Sequence, residues 1–455
     1  MTGMNRYLLR KIIYPAYRTL RRDNVLRYLD EMHRVQVMER DEIRAFQWAK
    51  MKKLLEHAAG NVAYYRRVFK DIGAEPGDFK TEEDLRSFPV LRKSDVRENV
   101  DDLIADGYRR SDLSYDETGG STGQNLSFYI DSASSAAKRA SNVRMNEWLD
   151  VRIGDRWAFL WGVRFRVAGS ARLKAAVKNW LTNTVIFSAY KMDMASVRSY
   201  LDRLRGFRPD VMMGYPSALA HMSQTIRVAG LESISPGIIL VSGETLYDWQ
   251  RDLIEGTFDT RVYNHYGCCE FGALARECRC RNGLHLACER VLMETVPVGK
   301  TAGGEDLKEI MLTDLDNLGM PFIRYAIDDY GDLDWGPCEC GLRLPRLRSV
   351  LGRVYDLVRA PNGNVLGGTF WGHMLKENVN KFQVVQDATG RVKIAIVPDG
   401  EFDEKQRKTV LDRVREACGD EMKVEFEIKK DIETTRSGKH RYIISDLPGR
   451  SEERA

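Results

Sequence analysis

The sequence predicts an α/β protein: a helical N-terminal region, a large body of several subdomains, and a small α+β unit at the C-terminus. Three features point there. The first hundred residues carry apolar side chains at helical spacing. From about Ser111, short apolar runs alternate with helical segments and glycine turns, as strands alternating with helices do. After about Leu351 the texture becomes strand, turn, strand, helix, strand.

Taken in order, Leu8, Leu9, Ile12 and Ile13 recur at helical spacing among Arg6, Arg10, Lys11, Arg18, Arg21 and Arg22. A helix of this kind packs on its domain with a solvated basic face, or makes weak peripheral contact with an anionic membrane. Glu42 to Phe69 continues helical. Leu126, Phe128 and Ile130 alternate with polar residues as a half-buried strand does, and Ser132 to Leu149 reads as a helix. Asp210–Met213, Ile238–Ser242 and Arg261–Asn264 are strand candidates. In the last hundred residues a helix is expected over Glu404–Cys418 and a strand through Val424, Phe426 and Ile428.

Composition narrows the class. The chain has 455 residues, 43% hydrophobic, 30% charged and 9% aromatic, which gives a globular protein ample core. At about 150 residues per domain, two or three domains are expected. Seventy basic against 66 acidic residues leave a net charge of +4, too small to suggest a nucleic-acid partner. No apolar run reaches the ~18 residues of a membrane span, and no signal-peptide pattern is evident, so a cytoplasmic protein is expected.

The eight cysteines are unevenly placed. Cys268, Cys269, Cys278, Cys280 and Cys288 cluster, and Cys338 and Cys340 follow. Cys338-Glu339-Cys340-Gly341 makes a tight turn that aims two thiolates at one ion. With His285, such residues form the four-coordinate structural zinc set. Cys278, His285, Cys338 and Cys340 are the expected ligands, with Cys280 as a substitute for Cys278. A closed set of four leaves no open position for catalysis.

The most informative segment is Thr118-Gly119-Gly120-Ser121-Thr122-Gly123, a flexible turn rich in N–H and O–H donors that can wrap phosphate oxygens. It lacks the Gly-Lys-Ser/Thr of a P-loop and the glycine spacing of a dinucleotide fingerprint. Downstream come Ser242-Gly243-Glu244, Tyr266-Gly267-Cys268-Cys269-Glu270, Arg324 to Asp329, Gly352-Arg353-Val354-Tyr355-Asp356 and Arg436-Ser437-Gly438-Lys439. In this order the motifs resemble those of the adenylate-forming superfamily of acyl-CoA synthetases. Within it the chain is most similar to the phenylacetate–CoA ligase branch and its CapK-like proteins. That likeness extends to Gly214-Tyr215-Pro216-Ser217 and Ala360-Pro361-Asn362-Gly363.

The resemblance implies an N-terminal adenylate-forming domain over 1–351 and a small C-terminal lid domain over 352–455. It implies joining of a small-molecule carboxylic acid to the α-phosphate of ATP, then transfer to coenzyme A as co-substrate. The alternatives are a different acceptor in cell-surface polysaccharide synthesis, or nucleotide binding without catalysis. Thr118, Gly119, Gly120, Ser121, Thr122 and Gly123 are implied to hold the ATP phosphates, with Thr122 counted among the catalytic residues. Ser242, Gly243 and Glu244 would border the adenine, and His265, Tyr266 and Gly267 would line the nucleotide. Glu270 would hold Mg²⁺, Asp329 would accept from the ribose hydroxyls, and Arg353 would stand on the nucleotide side of the hinge. Lys439 would bridge the carboxylate and the α-phosphate. Ala326 stands where the family commonly has arginine, Asp328 where glycine is usual, and Tyr355 in the customary hinge position.

Overall fold

The computed structural model describes residues 6–13, 24–118, 126–162, 170–190, 192–300, 306–353, 357–375, 378–398, 400–435, 439–445 and 447. Gly119, Gly120, Ser121, Thr122 and Gly123 of the expected phosphate loop lie outside the described residues, as do Val354, Tyr355 and Asp356 of the expected hinge.

Helices open the chain. The long helix Arg40–Asn61 and the helix Ala63–Ile72 are separated at Val62, whose extended backbone breaks the run expected over Glu42–Phe69. Their apolar faces, through Met51, Leu54, Leu55, Tyr65 and Phe69, join a core shared with the strands beyond residue 270. The first segment is helical over Arg6–Leu8 and continues as a wider turn over Leu9–Ile13.

A hairpin of β1 (Ser114–Glu117) and β2 (Ser127–Ile130) follows. Asp131 then caps the helix Ser132–Glu147: its Oδ1 accepts from the Ser134 N–H at 2.8 Å. Its other oxygen accepts from the N–H groups of Leu318 and Gly319, so one carboxylate joins two distant parts of the body.

Eleven strands form the central sheet. They are β3 (Trp157–Trp161), β4 (Thr184–Ser188), β5 (Val211–Gly214), β6 (Ile238–Ser242), β7 (Val262–Cys268), β8 (Gly272–Glu277), β9 (Leu284–Leu286), β10 (Val291–Lys300), β11 (Asp306–Asp314), β12 (Tyr325–Asp334) and β13 (Arg346–Arg353). Their order is β10-β11-β12-β13-β9-β8-β7-β6-β5-β3-β4. From β4 to β7 all neighbours are parallel, and from β7 to β10 all are antiparallel. The parallel half has its own core, with Val197, Leu201, Leu219, Met222, Ile254 and Phe258 from crossover helices packed on strand residues such as Met212 and Ile239.

The chain then builds a separate core. A short hairpin of β14 (Val358–Arg359) and β15 (Val365–Leu366) precedes a sheet ordered β18-β17-β16-β19. Its strands are β16 (Val379–Ala388), β17 (Arg391–Pro398), β18 (Lys423–Ile428) and β19 (Ile443–Ser445). The helix Glu404–Cys418, capped by Asp403, lays Val410, Val414 and Cys418 against Phe382, Val392, Ile394 and Trp371.

Candidate active site

The carboxyl ends of parallel strands are where open α/β sheets take ligands, because the loops leaving them diverge and leave a crevice. Strands β5, β6 and β7 end side by side at Gly214, Ser242 and Cys268. Tyr215 leaves β5 with its ring 4.3 Å from that of Trp161 at the end of β3. Burial pushes its phenol up to about 12.

After β6, Gly243 takes a left-handed turn at φ +83°. A Cβ there would lie 3.2 Å from the Tyr215 ring and 3.3 Å from Lys439 Nζ, so the close approach calls for glycine. Glu244 follows, and its carboxylate is turned inward. Oε1 accepts from the Ser217 hydroxyl at 2.9 Å and from the backbone N–H of His440 at 3.1 Å. Oε2 accepts from the Ser217 N–H at 3.0 Å. Burial lifts its pKa to about 6, opposed by the Ser217 hydrogen bonds and the charge of Lys439. The residue expected to border adenine thus spends its carboxylate on Ser217 and on the C-terminal domain.

Strand β7 carries the next group. Its bend at Gly267 passes so close to β8 that a Cβ would lie 2.4 Å from the Gly272 carbonyl oxygen. His265 is buried, and its Nδ1 accepts from Arg276 Nε at 3.1 Å. Burial, with Arg276 second, holds its pKa well below the usual value, so the ring is neutral. The Tyr266 hydroxyl donates to Asp329 Oδ2 at 2.7 Å, bringing two expected nucleotide residues together across the sheet.

Glu270, 8% exposed, accepts at Oε1 from the Tyr325 hydroxyl at 2.9 Å, and its backbone carbonyl accepts from Lys138 Nζ. Burial drives the Cys268 thiol well up, and Glu270 and Asp329 both push it further, so the two carboxylates border one protonated thiol. That environment argues against a nucleophilic cysteine.

Asp328 precedes the ribose candidate at φ +64°, in the left-handed region that explains why glycine is usual at this position. Its carboxylate pairs with Lys93 at 2.7 Å. Asp329 lies opposite Arg353 in the β12–β13 register, so the hinge strand runs beside the ribose candidate. Ala326 is buried in β12. Thr118 closes the base of the expected phosphate loop: its N–H donates to the Leu126 carbonyl at 2.9 Å, and its hydroxyl accepts from the Leu126 N–H at 3.0 Å.

Lys439 comes from the other core. Its N–H donates to Thr435 Oγ1 at 3.1 Å, and its carbonyl accepts from the Thr435 N–H at 2.8 Å. Its ammonium rests 5.4 Å from the centroid of the Tyr215 ring, a cation–π contact. Beyond it, the Tyr442 hydroxyl accepts from Gln250 Nε2 at 2.9 Å, and the Tyr442 ring meets Tyr247 edge-on at 5.4 Å. The segment from Lys439 to Tyr442 is therefore seated on the corner Gly243–Gln250 of the body.

A second cluster lies at the β8–β9 and β12–β13 turns. The ligand atoms of Cys278, His285, Cys338 and Cys340 all fall within 4.8 Å of one another. The Sγ atoms of Cys278 and Cys338 are 3.8 Å apart, and Cys340 Sγ is 3.2 Å from His285 Nε2. A tetrahedral ion with bonds of about 2.3 Å to sulfur has an S–S edge of about 3.8 Å. His285 Nδ1 lies 3.3 Å from the Leu344 carbonyl, the outer hydrogen bond that fixes a ligand imidazole. Cys280 is exposed and stands outside this quartet.

Lys138, Gln250 and Tyr442 carry much of this geometry without standing out in the sequence. Tyr215, Ser217 and Tyr325 fall inside quoted family motifs, which were their one signal.

The C-terminal residues 360–446 match the family model of the CapK C-terminal domain. Protein CapK of Staphylococcus aureus is 23% identical over 430 residues, covering 92% of each chain. The phenylacetate–coenzyme A ligase of Thermus thermophilus is 24% identical over 354 residues, 73% of this chain and 75% of that protein. Among solved structures, 2-hydroxyisobutyryl-CoA ligase in the postadenylation state superposes with a TM-score of 0.71 at 19% identity, over 91% of both chains. The chain is a relative of CapK and the phenylacetate–coenzyme A ligases, with the fold of the adenylate-forming ligases.

Proposed function

We propose that this protein activates a carboxylic acid with ATP and transfers the acyl group to coenzyme A. A carboxylate oxygen attacks the α-phosphorus and pyrophosphate leaves; the thiol of coenzyme A then attacks the acyl carbon and AMP leaves. The observation that carries this reading is the seating of Lys439, from the C-terminal core, on the Gly243–Glu244 corner at the carboxyl ends of the parallel strands. A cation delivered there stabilises charge that builds on the attacked phosphate. Asp329 suits the paired ribose hydroxyls, which would displace the Tyr266 hydroxyl from it. Thr118 anchors a loop whose Gly119, Gly120, Ser121, Thr122 and Gly123 supply phosphate donors.

Glu270 suits Mg²⁺, a hard ion that shares carboxylate and phosphate oxygens and neutralises phosphate charge. Residues 352–455 act as the lid, turning after Arg353 between the two half-reactions.

Pyrophosphate release over a panel of carboxylic acids, with and without coenzyme A, tests the proposal. Release with some acid and thioester formation with coenzyme A are expected. Release without thioester would favour the non-CoA acceptor. No release with any acid would overturn the enzymatic reading.

Cys278, His285, Cys338 and Cys340 are assigned one structural zinc. Three thiolates and an imidazole in a closed set favour zinc over calcium or magnesium. Protein purified without chelator should carry about one zinc per chain. Cys338→Ser should lose the metal and lower the melting temperature; metal-free protein would reject the site.

A further inference from the structure

Two stretches of the chain carry no acidic residue, and the fold brings Arg6 and Leu9 of one and Asn183 of the other to Gly154. Residues 1–22 hold six basic residues and residues 156–192 hold seven. Those 13 come from a total of 70, leaving 57 basic against 66 acidic residues elsewhere. The small net charge of the chain conceals this segregation.

The two stretches meet at Gly154. The first is pinned by Arg6 on Asp210 at 2.6 Å and by Arg10 on Asp155 at 2.8 Å, with Arg10 Nε donating to the Ile153 carbonyl at 2.6 Å. A Cβ on Gly154 would lie 3.3 Å from the Arg6 carbonyl oxygen and 3.4 Å from Leu9 Cβ. The second stretch is tied to the same point by Asn183, whose Nδ2 donates to the Gly154 carbonyl at 2.8 Å. Asn183 lies two residues beyond the helix Ser170–Leu181. Gly154 and Asp210 precede β3 and β5, so this junction lies at the opposite end of the strands from the candidate active site.

What these stretches present outward is apolar and basic. Tyr7 is 70% exposed, Ile12 56%, Val177 48% and Trp180 46%, and Leu8 is 40% exposed. They make up five of the twelve large apolar side chains exposed among the described residues. Lys11 and Lys178 are exposed on the same two segments.

We propose that this surface docks on an anionic lipid bilayer, with Tyr7, Ile12, Val177 and Trp180 entering the headgroup region and the lysines meeting acidic lipid. Exposed aromatic and aliphatic side chains with lysine on the same segments suit the interface between headgroups and acyl chains. A nucleic-acid backbone would use the charge and leave Ile12 and Val177 in water. The assigned surface is independent of the proposed ligase reading, because no active-site candidate belongs to it.

The test is sedimentation of the full chain with vesicles of phosphatidylcholine alone or with 30% phosphatidylglycerol. Binding to the anionic vesicles, weakening from 0.1 to 0.5 M salt, is expected. Lys11→Glu/Lys178→Glu should lower the partition coefficient by at least about thirtyfold, since each basic residue near an acidic leaflet is worth about 1 kcal/mol. In the unsubstituted chain, brominated lipid should quench part of the tryptophan emission, and Trp180→Phe should abolish that part. Pyrophosphate release by these variants without lipid should be unchanged. No binding at low salt, equal binding to neutral vesicles, duplex DNA displacing the vesicles, or a stable dimer shielding Trp180 would each overturn the proposal.

Discussion

Glu270 and Lys439 are held in opposite ways. Glu270 is buried in the body, bonded at its side chain by Tyr325 and at its backbone by Lys138, and Tyr325 belongs to the main hydrophobic core. Lys439 sits on a turn closed by Thr435 and touches the body through the Tyr215 ring and the Gly243 corner. The residue after it is fastened by a single backbone hydrogen bond to Glu244. One half of the site is fixed by packing and the other is delivered by a docking contact. Groups that hold nucleotide gain from being prebuilt, whereas a group needed in one half-reaction gains from being removable.

The sharpest way to break this comparison is Lys439→Ala. Adenylation should fall by on the order of 10²–10³, the range for losing one charge-stabilising donor. AMP affinity, measured by calorimetry, should barely change. Equal losses in adenylation and in thioester formation from a synthetic acyl-adenylate would mean that Lys439 serves both steps.

Asp329→Ala probes the fixed half. AMP binding should weaken by about 1.5–3 kcal/mol, the worth of a hydrogen bond to a charged acceptor. Unchanged AMP affinity in calorimetry would remove Asp329 from the ribose site. Tyr442→Phe probes the dock without touching any proposed ligand contact. It deletes the acceptor for Gln250 and should slow adenylation by the equivalent of about 0.5–1.5 kcal/mol. Thioester formation from the preformed adenylate should not change; stopped-flow comparison of the two steps decides.

The smallest effect at pH 7 belongs to His440. Its ring is buried with Nε2 at 2.8 Å from the Phe382 carbonyl, and burial lowers its pKa to about 4. The neutral ring stabilises the fold fully above the ordinary pKa near 6.5, and that contribution is lost as pH falls through about 4. Glu244 acts oppositely: raised to about 6, it favours the closed arrangement below about 4.5 and loses that contribution as pH rises through 6. Thermal melts of His440→Gln should therefore fall less between pH 6.5 and 4 than those of the unsubstituted chain. Parallel curves would assign the acid sensitivity elsewhere.

The sequence carried the alternation of strand and helix well. Ile238–Ser242 and Glu404–Cys418 have the expected bounds, because an apolar run between turns and a capped amphipathic helix are local signals. Strand β7 runs past its expected end at Asn264 to Cys268, since Tyr-Gly-Cys-Cys reads as a turn until β8 pairs with it. The antiparallel half of the sheet was not legible strand by strand, because its pairings join residues far apart in the chain.

Among site residues, Asp328 was visible as a departure from glycine, but its pairing with Lys93 was not. The engagement of Glu244 needs Ser217 and His440, 27 and 196 residues away, which no local pattern connects. The candidate metal cluster was readable down to the choice between Cys278 and Cys280; Cys278 is buried and groups with His285, Cys338 and Cys340.

The gap at Gly243 has a consequence for how such a protein can change. Alanine there would push against the Tyr215 ring, which is packed on Trp161, and against the Lys439 ammonium, the far end of a long side chain. The softer neighbour yields first, so a single methyl would act as a doorstop, nudging the ammonium outward while leaving the floor of the crevice in place. A misplacement of about 1 Å at a reacting group can cost on the order of 10² in rate. One carbon atom, added beside the Lys439 ammonium, would leave the door ajar on an otherwise furnished room.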